Sequence, residues 1–139
     1  MTEECIFCKV VKGEIPSHKV FEDNSVLAFL DINPINEGHT LVIPKKHASN
    51  LLEMDEELLS QVMIVTQKIA KAVKEAVKAD GVNLGVNIGK AAGQIIFHAH
   101  IHVIPRFEND GLKHWTRAHE TIPNFKEVAD KIRAQLKNK

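Results

Sequence analysis

Phe97-His98-Ala99-His100-Ile101-His102-Val103-Ile104 is the stretch that decides how this chain is read. Its Ile, Val and Phe content, together with Ile95 and Ile96 before it, predicts the strongest strand of the chain, from Ile95 to Ile104. Side chains on a strand alternate between faces, so His98, His100 and His102 are expected on one face with neighbours roughly 6.6–6.8 Å apart. Phe97, Ala99, Ile101 and Val103 are expected on the other face, beneath a long helix. Three histidines on one face are costly to bury idly, because each has two ring nitrogens that need partners. Their strict alternation, just after Gly93-Gln94, points to chemistry and leaves two readings open. One is a metal site, since imidazole is a common zinc ligand. The other is nucleophilic catalysis, with one histidine attacking phosphorus and its neighbours orienting it.

Outward from this strand the chain alternates short strand-like runs with two helices. Lys19–Glu22 and Val26–Leu30 flank Asp23-Asn24-Ser25, a turn-forming triplet, and predict a hairpin. His39–Ile43 follows as a strand that Pro44 ends. Residues 55 to 79 predict one long helix, with Leu58, Leu59, Val62, Val65, Ile69, Val73 and Val77 at three- and four-residue steps, Asp55 as N-cap and Gly81 as terminator. Val82 to Ile88 alternates as a fourth strand. Pro123 to Leu136 predicts a closing helix, with Asn124 and Glu127 as a capping box and Phe125, Val128, Ile132 and Leu136 on one face. Five strands and two helices without regular βαβ alternation predict an α+β fold with a mainly antiparallel sheet. There is no repeat or linker, and residues 1–139 read as a single domain.

A chain of 139 residues with 44% hydrophobic residues can bury a core without staples. Eighteen Lys+Arg balance eighteen Asp+Glu, so no excess of positive charge points to duplex nucleic acid. No apolar run approaches the ~20 residues of a membrane span. Met1-Thr2-Glu3-Glu4 is acidic with no apolar run behind it, so no secretory signal is expected and the chain reads as cytosolic. In a reducing compartment Cys5 and Cys8, spaced two apart, suggest metal or redox chemistry more than a disulfide. They have the spacing of half a tetrahedral zinc site. Two reduced thiols near a terminus are the plain alternative, and no βαβ unit surrounds them to favour a thioredoxin-like role.

The histidine stretch resembles the His-φ-His-φ-His-φ-φ signature of the histidine triad (HIT) superfamily. The similarity extends over most of the chain through Cys5-Ile6-Phe7-Cys8, Ala28–Ile32, Gly38–Lys45, Asn87-Ile88-Gly89, Gly93-Gln94 and Pro105-Arg106; the last thirty or so residues are not distinctive. The resemblance implies a homodimer in which two five-stranded sheets join into one of ten strands. It also implies hydrolysis or transfer of purine nucleotides at the α-phosphate, by way of a nucleotidyl-histidine. His100 then corresponds to the nucleophile, and His102 to a hydrogen-bond donor to the phosphate or leaving group. His39 is the fourth histidine of the pattern, set to orient His100. Asn87, Gly93 and Gln94 match positions that meet the phosphate or leaving group, and Asp31 and Ile32 match the pair that holds ribose and base.

The resemblance also bears on the cysteines. Sequences of the Cys-x-x-Cys type among bacterial and archaeal relatives, and the uridylyltransferase branch with its Cys, Cys, His, His zinc site, imply a structural zinc held by Cys5, Cys8, His98 and His47. Two departures stand out. Ile95 occupies a position where the family often has a hydroxyl, and Ala99 one where it usually has a bulkier apolar residue. Two rival functions remain: a nucleotide-binding or scaffolding protein with little catalysis, and a zinc hydrolase in which His98, His100 and His102 all hold a catalytic metal.

Overall fold

The structure is a computed structural model that describes residues 4–118 and 124–137. Five strands form one antiparallel sheet in the order β1-β2-β3-β5-β4: β1 Lys19–Glu22, β2 Val26–Leu30, β3 Thr40–Pro44, β4 Gly81–Gly85 and β5 Ile101–Arg106. Three helices accompany it: α1 Ile6–Lys12, α2 Glu56–Ala76 and α3 Phe125–Lys137. The α+β class and the antiparallel sheet are as expected; α1 was not foreseen. Its signals are short but present. Ile6, Phe7, Val10 and Val11 are spaced for one face, the Cys5 sulfur caps the Cys8 amide, and Gly13 takes the left-handed conformation (φ 82°) that ends the helix.

The central strands β2 and β3 are buried on both faces. Val26, Ala28, Val42, Ile101 and Val103 pack against Leu58, Val62, Val65 and Ile69 of α2. Leu27, Phe29, Leu41 and Ile43 pack on the other face against Phe7 and Val10 of α1. Helix α2 begins as expected, with the Asp55 carboxylate accepting from the Leu58 amide at 2.8 Å. It packs close to the sheet's end: a Cβ on Gly38, whose φ is +95°, would lie 3.1 Å from a Val77 methyl.

Four sequence expectations are corrected. The predicted strand from Ile95 is ordered as a strand only from Ile101; residues 95–100 are instead an irregular segment docked on the loop after β3. The Ala99 amide donates to the Ala48 carbonyl at 2.7 Å, and the His98 ring bonds the Pro44 carbonyl. A backbone bond and a ring nitrogen thus satisfy backbone that a ladder would otherwise have paired. Phe97, expected beneath the helix, is 48% exposed. Gly81 opens β4 rather than ending α2. The helix ends in a Schellman arrangement, with the Ala79 amide on the Lys74 carbonyl (2.9 Å), the Lys78 amide on Glu75 (3.3 Å), and Lys78 itself left-handed at φ 57°. The fourth strand is shorter than predicted, ending at Gly85 rather than Ile88. Pro123, the expected start of the closing helix, lies outside the described residues. The Asn124 side chain does cap that helix at the Glu127 amide, and the stripe Phe125, Val128, Ile132 and Leu136 is exposed.

Lys78 occupies a position that glycine fills at little steric cost, where an L-residue costs about 1–2 kcal/mol. Lys78→Gly is expected to raise stability by roughly 1 kcal/mol and Tm by a few degrees. Thermal unfolding checks this, and an unchanged or lower Tm contradicts the capping account.

Candidate active site and metal centre

The three histidines of the signature are not on one strand face, yet the fold still gathers them around two centres. His98, on the irregular segment, turns toward the N-terminus and is fully buried. Its Nε2 sits 2.8 Å from the Pro44 carbonyl, so this nitrogen carries the proton and Nδ1 keeps its lone pair. Nδ1 lies 3.3 Å from the Cys5 sulfur, 3.6 Å from the Cys8 sulfur and 3.2 Å from Nδ1 of His47; the Cys8 sulfur is 3.4 Å from His47 Nδ1. Burial pushes the His98 pKa down to about 4, which keeps the ring neutral and able to ligate.

These separations are those of a tetrahedron's edges. Metal–nitrogen bonds of about 2.0–2.1 Å and metal–sulfur bonds of about 2.3 Å imply N···N edges of about 3.3–3.4 Å and N···S edges of about 3.6 Å. The four ligand atoms all lie within 4.8 Å of one another, so the donor set fits a closed four-ligand metal site. Cys5 and Cys8 form no disulfide. All four residues singled out in the sequence are brought together here.

His100 and His102 form the second centre, with ring centroids 5.0 Å apart. His100 is 9% exposed and packs edge-on against Phe7 at 5.3 Å. Its Nδ1 bonds the His98 carbonyl at 2.7 Å. A carbonyl can only accept, so Nδ1 carries the proton and Nε2 holds the free lone pair. His39 bonds His102 and not His100. The Ile35 amide donates to His39 Nδ1 at 3.0 Å, which places the His39 proton on Nε2, 2.9 Å from His102 Nδ1. His102 therefore accepts at Nδ1 and presents Nε2–H to the site. Asp31 stands at the head of this chain, 3.5 Å from His39 Nε2, with its other oxygen accepting the Asn33 amide at 2.8 Å. Burial lowers the pKa of both His39 and His102, that of His102 to about 4, with the neighbouring His100 and His39 adding to the shift.

A cleft of about 460 Å³ opens beside these rings. Phe7, Val10 and Phe29 give it apolar walls; Asp31 and the 81% exposed Ile32 stand at its edge; Asn87, Gly93, His100 and His102 line its polar end. Helix α1 supplies much of this wall, which is why the sequence reading missed it. Ile95, without a hydroxyl, is at the rim and 87% exposed. Gln94 is not in the lining. It is 3% exposed, its Oε1 accepts the Gly89 amide, and its Nε2 donates to the Ser49 and Ile96 carbonyls. Both ends of the amide are committed, so Gln94 shapes the turn that carries Gly93 and does not offer its donors to a phosphate.

A HIT domain model matches residues 12–109. The chain belongs to the HIT family. A HIT-like protein of Borreliella burgdorferi is 47% identical over 93% of this chain and 96% of its own length. The Arabidopsis thaliana adenylylsulfatase HINT3 is 41% identical over 98% of this chain and 67% of its own length. Among solved structures, a Streptococcus mutans protein superposes with a TM-score of 0.88 at 44% identity, covering 99% of this chain and 87% of that one. A zinc-bound histidine triad protein of Mycobacterium smegmatis superposes with a TM-score of 0.75 at 40% identity, covering 97% and 94%.

The depressed His102 pKa has a consequence for stability. The unfolded ring takes up its proton below about 6.5, the folded ring only near 4. Stability from keeping it neutral is therefore present above pH 6.5 and is lost as pH falls toward 4. Each unprotonated folded histidine contributes at most about 1.4 kcal/mol per pH unit to that slope. His102→Asn is expected to decline less steeply between pH 6.5 and 4, by a slope of up to this size. Urea unfolding of both proteins across that range reads the difference, in which the contribution of any bound metal cancels; parallel curves contradict the assignment.

Proposed function

We propose that this protein hydrolyses or transfers purine nucleotides at the α-phosphate through a nucleotidyl intermediate on His100. The observation that carries the reading is the tautomer of His100: the His98 carbonyl holds the proton on Nδ1 and leaves the Nε2 lone pair at the polar end of an apolar cleft. In this reading Nε2 attacks phosphorus, an N–P bond forms, and the bond to the leaving group breaks with its electron pair. His102 Nε2–H supplies the proton to the departing nitrogen or oxygen. Water then attacks the phosphorus and returns a proton to His102 Nε2, and the N–P bond breaks, restoring the lone pair of His100. Asn87 offers amide donors to the phosphoryl oxygens, Asp31 accepts the ribose hydroxyls, and the base lies among Ile32, Phe29 and Val10. The leaving group is an amine or a phosphate chain. The adenylylsulfatase relative, which acts on an adenylyl group, supports the adenylyl end of this reading.

Zinc is the metal we propose for Cys5, Cys8, His47 and His98, in a structural role that pins the N-terminal helix to the segment carrying His100. The zinc-bound relative supports it. We further propose a cytosolic homodimer. Reduced thiols at Cys5 and Cys8 suit that compartment, and β4 pairs with β5 alone within the sheet, leaving its outer edge for a second copy. No helix among the described residues is long and apolar enough to cross a membrane.

His100→Ala is expected to lower kcat on adenosine phosphoramidate by at least about a thousandfold while AMP still binds. Substantial steady-state turnover by this variant overturns covalent catalysis at His100. Asp31→Asn is expected to raise KM by about tenfold, more than kcat falls, since a hydrogen bond to a charged group is worth about 1.5–3 kcal/mol. Wild type is expected to bind AMP more tightly than 2′-deoxy-AMP by calorimetry; equal affinities remove Asp31 as the ribose anchor. For the metal, protein purified without chelator should hold about one zinc per chain, and Cys8→Ser should lose zinc and thermal stability together. Full stability after zinc removal contradicts the structural role.

A further inference from the structure

We infer that Ser17 reads the base: its hydroxyl hydrogen-bonds the outer edge of a purine in the nucleoside cleft, accepting from an amino group or donating to a carbonyl oxygen. The inference rests on the nucleotide reading proposed above and adds a specificity-determining residue to it. Among the described residues, Ser17 Oγ is the one buried side-chain oxygen or nitrogen without a hydrogen-bond partner. A hydroxyl kept from both water and a partner costs stability, and an alanine of nearly the same shape would not incur that cost. Ser17 nevertheless lines the nucleoside cleft, and it brings the cleft its only hydroxyl. A serine side chain moves between staggered wells about Cα–Cβ without disturbing the backbone. A polar ligand atom in the cleft then supplies the partner that Oγ lacks in the free protein.

The order of the strands puts Ser17 at the base end of the cleft. Across the sheet the strands run β1-β2-β3-β5. His102 stands on β5, Asp31 directly follows β2, and Ser17 lies just before β1. The His18 carbonyl accepts the Leu30 amide at 3.0 Å, which carries the β1–β2 pairing on to their neighbours Ser17 and Asp31. Asp31 therefore lies between His102 and Ser17. A phosphate at His100 and His102, with its ribose on Asp31, sends the base toward Ser17. The ribose hydroxyls already have the Asp31 carboxylate as acceptor, and the cleft residues beside Ser17, Ile15, Pro16 and Leu30, have apolar side chains. What remains for the hydroxyl is an edge of the base. The edge of a purine farthest from the sugar carries an amino group in adenine and a carbonyl oxygen in guanine. A hydroxyl is both donor and acceptor, so one rotating group serves either purine. It gives nothing to a ring with no polar atom on that edge.

Calorimetry on wild type and Ser17→Ala tests this with AMP, GMP, 2′-deoxy-AMP and benzimidazole riboside 5′-monophosphate. The last has the two fused rings of a purine but no polar atom on the six-membered one. Ser17→Ala is expected to bind AMP and GMP roughly fivefold more weakly, the effect of one hydrogen bond, and 2′-deoxy-AMP weaker by the same factor. Its affinity for the benzimidazole nucleotide is expected to equal that of wild type. Free Ser17→Ala is expected to melt at or above the wild-type Tm, because it gives up no bond in the free protein. No loss on AMP, or an equal loss on all four nucleotides, overturns the reading of the base by Ser17. A loss on AMP and GMP that spares 2′-deoxy-AMP assigns the hydroxyl to the ribose and also overturns it, as does a lower Tm, which marks a structural bond. In each of these cases AMP still binds and the nucleotide reading stands; a wild type that binds no AMP overturns both.

Discussion

The bond from His100 Nδ1 to the His98 carbonyl, 2.7 Å long, is the interaction on which the rest of the site depends. It joins two centres that are otherwise separate. The His98 side chain belongs to the Cys5, Cys8 and His47 group, while its backbone carbonyl fixes which nitrogen of His100 is free. The position of that carbonyl is in turn set by the His98 ring on Pro44 and by the Ala99 amide on Ala48. A metal bound by the four ligands would hold the backbone whose carbonyl orients His100. A change in the cysteine pair therefore reaches His100 through geometry and not through contact with a ligand.

The same logic of fixed tautomers runs along the other arm. A backbone amide, that of Ile35, sets His39; His39 sets His102. Neither step needs a charged group, which suits rings whose burial disfavours the imidazolium. The result is two neighbouring neutral imidazoles with opposite capacities at Nε2: His100 with a lone pair, His102 with a proton. A pair of this kind can attack and protonate in one passage without a preceding proton transfer from solvent.

How much of this was legible in the sequence depends on how local the determining forces are. The hairpin, β3, the N-terminus of α2 and the antiparallel class follow from alternation, turn residues and caps, which act within a few residues. The four metal-ligand candidates were legible as candidates and the structure brings them together, and it sets the rings of His100 and His102 side by side. The rest is set by distant partners. The strand predicted from Ile95 yields to side-chain bonds reaching back to Pro44 and Ser49 and a backbone bond to Ala48, and with it goes the picture of three histidines on one face. Gln94 reads as a phosphate donor until its amide is seen committed to Gly89, Ser49 and Ile96. His39 was expected behind His100 and stands behind His102, because cross-strand register and not sequence spacing decides which ring it meets: Leu41 lies opposite His102 on the antiparallel neighbour, and His39, two residues earlier on the same face, is the diagonal neighbour of His102. Helix α1 is seven residues long, too short to stand out by periodicity, and so the apolar wall it gives the cleft went unread.

The central claim is that His100 Nε2 becomes covalently bonded to phosphorus. Its most direct test is to mix the protein with excess adenosine phosphoramidate, quench within the first turnovers in alkaline denaturant, where a phosphorus–nitrogen bond to histidine survives, and map the adduct by peptide mass spectrometry. The account predicts an adenylyl group on the peptide that contains His98, His100 and His102, with fragmentation placing it on His100. An adduct on His102, or full turnover with no adduct on any histidine, would contradict it.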